Sequence, residues 1–197
     1  MTWILFDYGN VLSLAQPAGA TEAMAHAVGA DPAAFHRAYW EHRLEFDRGT
    51  LTPAAYWTEA AGRPLSDTEL DRLIAMDLAS WSHPDEGSLA ILRELRDSGH
   101  GVALLSNAPA CIADGLDELP WIAAIPHRFY SARLGLVKPD QKIYAHVAAE
   151  LAADPGDVLF IDDRADNVEG ARAAGMRAVR YTDATALRGA VEAVLGS

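Results

Sequence analysis

Five short apolar runs punctuate the chain: "TWILFD" (2–7), "GVALLSN" (101–107), "HRFYSA" (127–132), "DVLFIDD" (157–163) and "MRAVRYT" (176–182). Their length and bounding residues predict strands, most of them of the buried kind that parallel sheets use. Between the later runs the apolar period lengthens to that of a helix, in "PDEGSLAILRELRDSG", "DQKIYAHVAAELA" and "NVEGARAAG". Each has an acid near its start, and Gly99 and Gly175 supply two of the stops. Alternating strands and helices predict a doubly wound α/β fold on a parallel sheet.

Residues 15–82 break that alternation, because helical segments follow one another there with no strand between them. Asp31-Pro32 and Thr52-Pro53 each open a helix, and Ser66 with Glu69 has the spacing of a capping box. The expected organisation is therefore a core of residues 1–14 and 83–197 with an all-helical cap, 15–82, inserted after the first strand. Open α/β sheets bind ligands at the carboxyl ends of their strands, so an insert leaving from that edge would hang over the site as a lid. A chain of 197 residues is long enough for one core and such an appendage.

Charge narrows the partners. With 16 Lys+Arg against 28 Asp+Glu, the formal net charge of -12 disfavours attraction to nucleic acid or to an anionic membrane surface. The single cysteine, Cys111, cannot form an internal disulfide, the first residues lack the pattern of a signal peptide, and no apolar run is long enough to cross a bilayer. The expectation is a soluble, cytoplasmic protein that acts on a small molecule.

Polar groups end three of the predicted strands: Asp7 the first, Ser106-Asn107 the second and Asp162-Asp163 the fourth, while Lys138 in "GLVKPD" precedes the helix that leads into that fourth strand. Each has an ordinary role when taken alone, Asp7 as a turn former, Ser106-Asn107 as a loop start and Lys138 as a solvated side chain. The adjacent carboxylates are different, since at a half-buried edge they repel one another without a cation. Gathered at one sheet edge, the set suits a divalent hard cation and a phosphoryl group. Asp166 is expected to cap "NVEGARAAG", with Glu169 completing a capping box. The seven histidines show no metal-ligand spacing and are assigned no chemistry. In the insert, Tyr39, Trp40, Phe46 and Trp57 read as the cap's own core and rim, and Arg43 as the candidate contact to phosphate or sugar.

In order and spacing, "FDYGNVL", "LLSNAP", "LGLVKPDQKIY" and "VLFIDDRADNVEGARAAGM" resemble the four motifs of the haloacid dehalogenase-like hydrolase superfamily over nearly the whole chain. The opening motif and the small helical cap are most similar to a phosphatase branch that includes α-D-glucose-1-phosphate phosphatases. The resemblance implies a Rossmann-like core and a Mg²⁺-dependent phosphatase of small phosphorylated metabolites such as sugar phosphates. In that scheme Asp7 is the nucleophile that forms an aspartyl-phosphate, and the Gly9 carbonyl and Asp163 join it on the metal. Ser106 and Asn107 hold the phosphoryl oxygens, and Lys138 neutralises charge on nucleophile and phosphate. Asp162 sits behind the metal or orients Lys138, and Asn167 matches a polar position often seen after the double aspartate.

One position departs from the pattern. Many phosphatases of this superfamily read Asp-x-Asp, and the second carboxylate protonates the leaving oxygen, but here that position is Gly9. General acid–base catalysis contributes roughly 10²- to 10⁴-fold, so a substrate with an acidic leaving group suffers least from the change. Two rival readings follow from the same residues. One is a metal-independent 2-haloacid dehalogenase, which "DYG" superficially echoes; the other is a catalytically weak protein that binds phospho-ligands.

Overall fold

A computed structural model describes residues 2–195. After β1 (Trp3–Phe6) come five helices: α1 (Ala20–Ala27), α2 (Pro32–Glu41), α3 (Arg43–Arg48), α4 (Pro53–Ala61) and α5 (Asp67–Trp81). The α/β alternation then begins with α6 (Glu86–Asp97), β2 (Gly101–Ser106), α7 (Ala110–Asp117), β3 (His127–Tyr130) and the short α8 (Ser131–Leu134). It closes with α9 (Gln141–Glu150), β4 (Val158–Asp162), α10 (Ala165–Ala173), β5 (Arg177–Arg180) and α11 (Ala184–Leu195). Among these helices, none is long and apolar enough to cross a membrane.

The strands form one parallel sheet in the order β3-β2-β1-β4-β5, as the alternating pattern predicts. Central β1 has layers on both faces, and the period of two divides its side chains between them. Ile4 and Phe6 join Leu104, Leu159 and Ile161 in a core closed by Leu92 of α6, Ile112 of α7 and Leu187 of α11. Leu5 points the other way, into Leu105, Phe160, Tyr144 of α9 and Val168 of α10. Such two-sided burial explains why these strands read as continuous apolar runs.

The strands are slightly shorter than the runs. β1 stops at Phe6, although the Asp7 N–H still donates to the Ile161 carbonyl at 2.9 Å. Ser131 and Ala132 turn into α8, because Tyr130 pairs with Ser106 at the last residue of β2 and no partner strand continues beyond it.

The helices between β1 and α6 bury an aromatic centre of their own, with Phe35, Tyr39, Phe46, Tyr56 and Trp57 all fully enclosed. Asp31 and Thr52 cap α2 and α4 as expected, and the Ser66–Glu69 box opens α5. α1 and α3 lack such signals: neither has a side-chain cap, and α3 is only 6 residues long. The chain leaves the core and re-enters it at one place. There the Leu14 N–H donates to His83 O at 2.7 Å, the Asp85 N–H donates to Leu12 O at 2.9 Å, and the Ser13 hydroxyl bonds the Trp81 carbonyl.

The expected cap of α10 is a correction. The N-cap is Arg164, and Asp166 lies inside the first turn with its carboxylate on the Arg164 guanidinium at 2.7 Å. Glu169 pairs with Arg172 at 2.7 Å instead of reaching back. The helix starts two residues earlier than the apolar pattern suggests, so the box spacing falls out of phase with its true start.

Two glycines give a test of this packing. A Cβ on Gly170 of α10 would lie 2.5 Å from the Pro139 carbonyl oxygen, whereas one on Gly189 of α11 meets nothing within 4 Å. Gly170→Ala is expected to destabilise the fold by about 1–3 kcal/mol. Gly189→Ala should stabilise it by up to about 1 kcal/mol through helix propensity. Urea midpoints moving in the same direction for both variants would contradict the close approach of α10 to the Pro139 turn.

Candidate active site

The carboxyl ends of β1, β2 and β4 open onto a cleft of about 500 Å³ whose floor carries Asp7, Ser106, Asn107, Lys138 and Asp163. Parallel neighbours in register bring these ends together, since Phe6 pairs with both Leu104 and Ile161. Lys138 is buried at the centre. Its Nζ lies 2.6 Å from Asp7 Oδ1 and 2.7 Å from Asp162 Oδ2, and it donates to the Leu105 carbonyl at 3.0 Å. An ammonium has three N–H donors, and these three acceptors use them all.

Asp162 is fully buried and committed to the protein. Besides Lys138, it accepts from the Asn167 amide at 3.0 Å on both oxygens and from the Arg164 N–H at 2.9 Å. Asn167 is thereby assigned a place, linking α10 to the end of β4, and its own carbonyl accepts from the Tyr144 hydroxyl at 2.8 Å. Asn107 lines the cleft with both ends of its amide bonded to the protein. Its Oδ1 accepts from the Lys138 N–H at 2.9 Å and its Nδ2 donates to the Lys138 carbonyl at 3.1 Å, so the side chain clamps the main chain of Lys138 from both sides. Ser106 lines the cleft as well.

Burial and the neighbouring Asp162 hold the Asp7 carboxyl well above the usual carboxylate range, against the pull of Lys138. Burial and Asp162 raise Asp163 as well, with Asn10 opposing. For Lys138, burial alone would lower the ammonium, but Asp7 and Asp162 outweigh it and raise it. Carboxylate oxygens of Asp7, Asp162 and Asp163 lie within 4.8 Å of one another. Three carboxylates against one ammonium leave two negative charges, the charge of one divalent cation. The donor set is all oxygen, as a hard cation requires, so the residues fit Mg²⁺. With Asp162 engaged elsewhere, Asp7 and Asp163 are the carboxylates of this cluster that line the cleft, and Gly9 lines it beside them.

Sequence reasoning missed Asn10. It adopts a left-handed backbone with φ 59 and donates from Nδ2 to Asp163 Oδ2 at 3.0 Å, fixing one carboxylate by the loop that carries another. The Gly-Asn dipeptide after Asp7 was the available signal. Arg43 reaches the cleft but turns its guanidinium inward: Nε donates to Asp47 at 2.8 Å, and Nη1 donates to the Tyr39 hydroxyl at 2.7 Å and to Asp77 at 3.2 Å. Burial pushes Asp47 up to about 6 against the pull of Arg43. No histidine lines the cleft.

The model of the haloacid dehalogenase-like hydrolases matches residues 1–175. The chain belongs to this family. It is 27% identical to a sesquiterpene phosphatase of Aspergillus oryzae over 184 residues, covering 92% of this chain and 90% of that protein. Its fold superposes with a TM-score of 0.76 on a haloacid dehalogenase family enzyme of Bacteroides thetaiotaomicron crystallised with magnesium and inorganic phosphate, at 20% identity over 92% of this chain and 94% of the other. A 2-haloacid dehalogenase of Pseudomonas syringae has the same fold, with a TM-score of 0.70 at 18% identity over 92% of this chain and 86% of the other. The protein is thus a hydrolase of this family, with a five-stranded Rossmann-like core.

Gly9 has none of the left-handed backbone seen at other glycines, and a Cβ there would meet Trp81 at 3.4 Å, an ordinary contact. The backbone therefore accepts aspartate. Gly9→Asp should fold and accelerate hydrolysis of alkyl phosphates more than that of aryl phosphates, whose leaving oxygen needs no proton, by up to about 10²-fold. Rates for both ester classes changing by the same factor would contradict the reading of Gly9 as a missing acid.

Proposed function

We propose that this hydrolase is a Mg²⁺-dependent phosphomonoesterase that cleaves a small-molecule phosphate ester through an aspartyl-phosphate on Asp7. The observation that carries the proposal is Lys138 buried between Asp7 and Asp162, with the second exposed-side carboxylate, Asp163, beside them. Attack of one anion on another needs positive charge on both sides of the transferring group. Lys138 provides it from the protein, and Mg²⁺, when bound by Asp7, Asp163 and the Gly9 carbonyl, would supply Lewis acidity to the phosphoryl oxygens.

Asp7 Oδ1 accepts from Lys138 and from the Tyr8 N–H at 2.7 Å, which orients the carboxylate and leaves Oδ2 for attack on phosphorus. That oxygen forms a bond to phosphorus as the ester P–O bond breaks, and the alcohol leaves with a proton from solvent. Water then attacks the acyl phosphate, releasing phosphate and restoring Asp7. Ser106 bears on the phosphoryl oxygens, while Asn107 and Asp162 act through Lys138 by fixing its main chain and its ammonium. The segment 15–82 acts as the lid, placing Trp81 and the α2–α3 junction over the leaving group.

A dehalogenase has one observation in its favour, Gly9 in place of an acid, together with a fold that such enzymes share. Asp163 argues against it, because a metal-free site would hold that carboxylate uncompensated beside an anionic substrate.

Purified protein should release phosphate from an aryl phosphate with Mg²⁺ and lose that activity in EDTA. Halide released from a 2-haloacid in EDTA would overturn the assignment. Asp7→Asn keeps the size and removes the charge, so turnover should vanish while the fold survives. Retention of more than about a tenth of the rate would reduce Asp7 to a metal ligand.

A further inference from the structure

The two ends of the cleft differ in chemistry. Its floor is charged, as described above, and its walls carry the ion-paired Arg43, Asp47, Arg164 and Asp166. Beside these stands an apolar side made by Trp40 and Leu44 at the α2–α3 junction and Trp81 at the end of α5, backed by the buried Ile112 and Leu116 of α7. Trp40 is 46% exposed and Leu44 47%, and with Leu14 they are the large apolar side chains left open to solvent among the described residues. Two of the three therefore stand on one short stretch of the cap, facing the same cleft. Scattered apolar residues on a surface need no explanation, but a pair gathered with Trp81, Ile112 and Leu116 around a site marks an apolar ligand surface.

The charged side chains of this wall are paired with one another. Arg43 and Asp47 pair with each other, and Asp77 and Tyr39 complete the cluster at 3.2 Å and 2.7 Å. A polyol would bring hydroxyls against indole and leucine, and each hydroxyl buried without a partner costs affinity. An alkyl or alicyclic group would bury its carbon there without bringing in a polar group that needs a partner.

We infer that the substrate is the monophosphate of an apolar alcohol, its phosphoryl group on the charged floor and its hydrocarbon against Trp40, Leu44, Trp81, Ile112 and Leu116. The inference rests on the phosphatase reading and replaces the sugar phosphate expected from sequence resemblance with a hydrophobic ester.

The test is a series of n-alkyl monophosphates from ethyl to octyl, with glucose 1-phosphate alongside. Along the alkyl series the leaving oxygen keeps nearly constant basicity, so any slope reports binding of the chain. Specificity, kcat/KM, should rise by about two- to fourfold per methylene until the cleft is filled. Trp40→Ala and Leu44→Ala should flatten that slope, and Leu14→Ala, exposed outside the cleft, should not. A flat series with clear phosphate release, or glucose 1-phosphate exceeding hexyl phosphate in kcat/KM, would overturn the inference and leave the phosphatase reading intact. Calorimetric binding of the same esters to Asp7→Asn protein with Mg²⁺ separates the two ideas. Affinity graded with chain length but no turnover by the wild-type protein would overturn the phosphatase and keep the apolar subsite. Neither slope nor turnover would overturn both.

Discussion

A lysine ammonium buried between two carboxylates is costly to assemble, since each ion removed from water loses several kcal/mol of hydration unless partners replace it. Lys138 is the point where the chain meets that cost, and much of the architecture around it consists of the partners. Leu105 at the end of β2 gives a carbonyl, Asp162 at the end of β4 gives a carboxylate, and Asp7 just past β1 gives the other. These three strands are adjacent in the sheet, so the parallel order around β1 is what lets one ammonium bind all three edges. The supporting bonds spread outward from there. Asn107 clamps the main chain of Lys138, and Asn167 and the Arg164 N–H saturate Asp162. With its lone pairs taken, Asp162 is a positioning group, and the excess negative charge falls on Asp7 and Asp163.

The helices of residues 15–82 are joined to the sheet and its helices by backbone contacts as well as by side chains. The two crossings are clasped at Leu14 and His83, and the Tyr8 hydroxyl donates to Trp81 O at 2.9 Å, tying the end of α5 to the residue beside Asp7. On the far side the Ser131 hydroxyl bonds the Asp47 carbonyl and accepts from the Ala108 N–H at 2.9 Å. Ser131 thus joins the α3 end of the cap to the loop that follows Ser106. Gly115 of α7 lies where a Cβ would come within 2.3 Å of the Leu78 side chain of α5, so that side chain packs directly on the α7 backbone. Trp40, Leu44 and Trp81, carried by these helices, line the cleft.

The sequence carried the strand ends clearly, because buried parallel strands are continuous apolar runs and a charge at their end stands out against them. It carried the capping residues Asp31, Thr52 and Ser66 for the same reason: one side chain satisfies one local set of N–H groups. Roles that depend on where an amide points were not legible. The bonds of Asn107 to the main chain of Lys138 and of Asn167 to Asp162 depend on tertiary contacts that no local pattern announces. Asp166 and Glu169 had the spacing of a box, but the helix began earlier and other arginines took both carboxylates. Hydropathy likewise cannot tell Trp57, enclosed in the cap, from Trp40, half exposed over the cleft, since only packing distinguishes them.

Floor and wall of the site answer to different constraints. The floor must balance charge in a nearly dry place, and moving any one of Asp7, Lys138, Asp162 or Asp163 unbalances the rest. That interdependence leaves little freedom. The wall has only to shield the reacting group and match the shape and polarity of what leaves, and it is built from an insertion with its own aromatic core. Gly9 stands at the boundary, in the loop of the nucleophile yet in contact distance of Trp81, so the absence of a carboxylate belongs to both. A charged aspartate at that position would lie against an indole, and the glycine lets the apolar wall continue down to the edge of the charged floor.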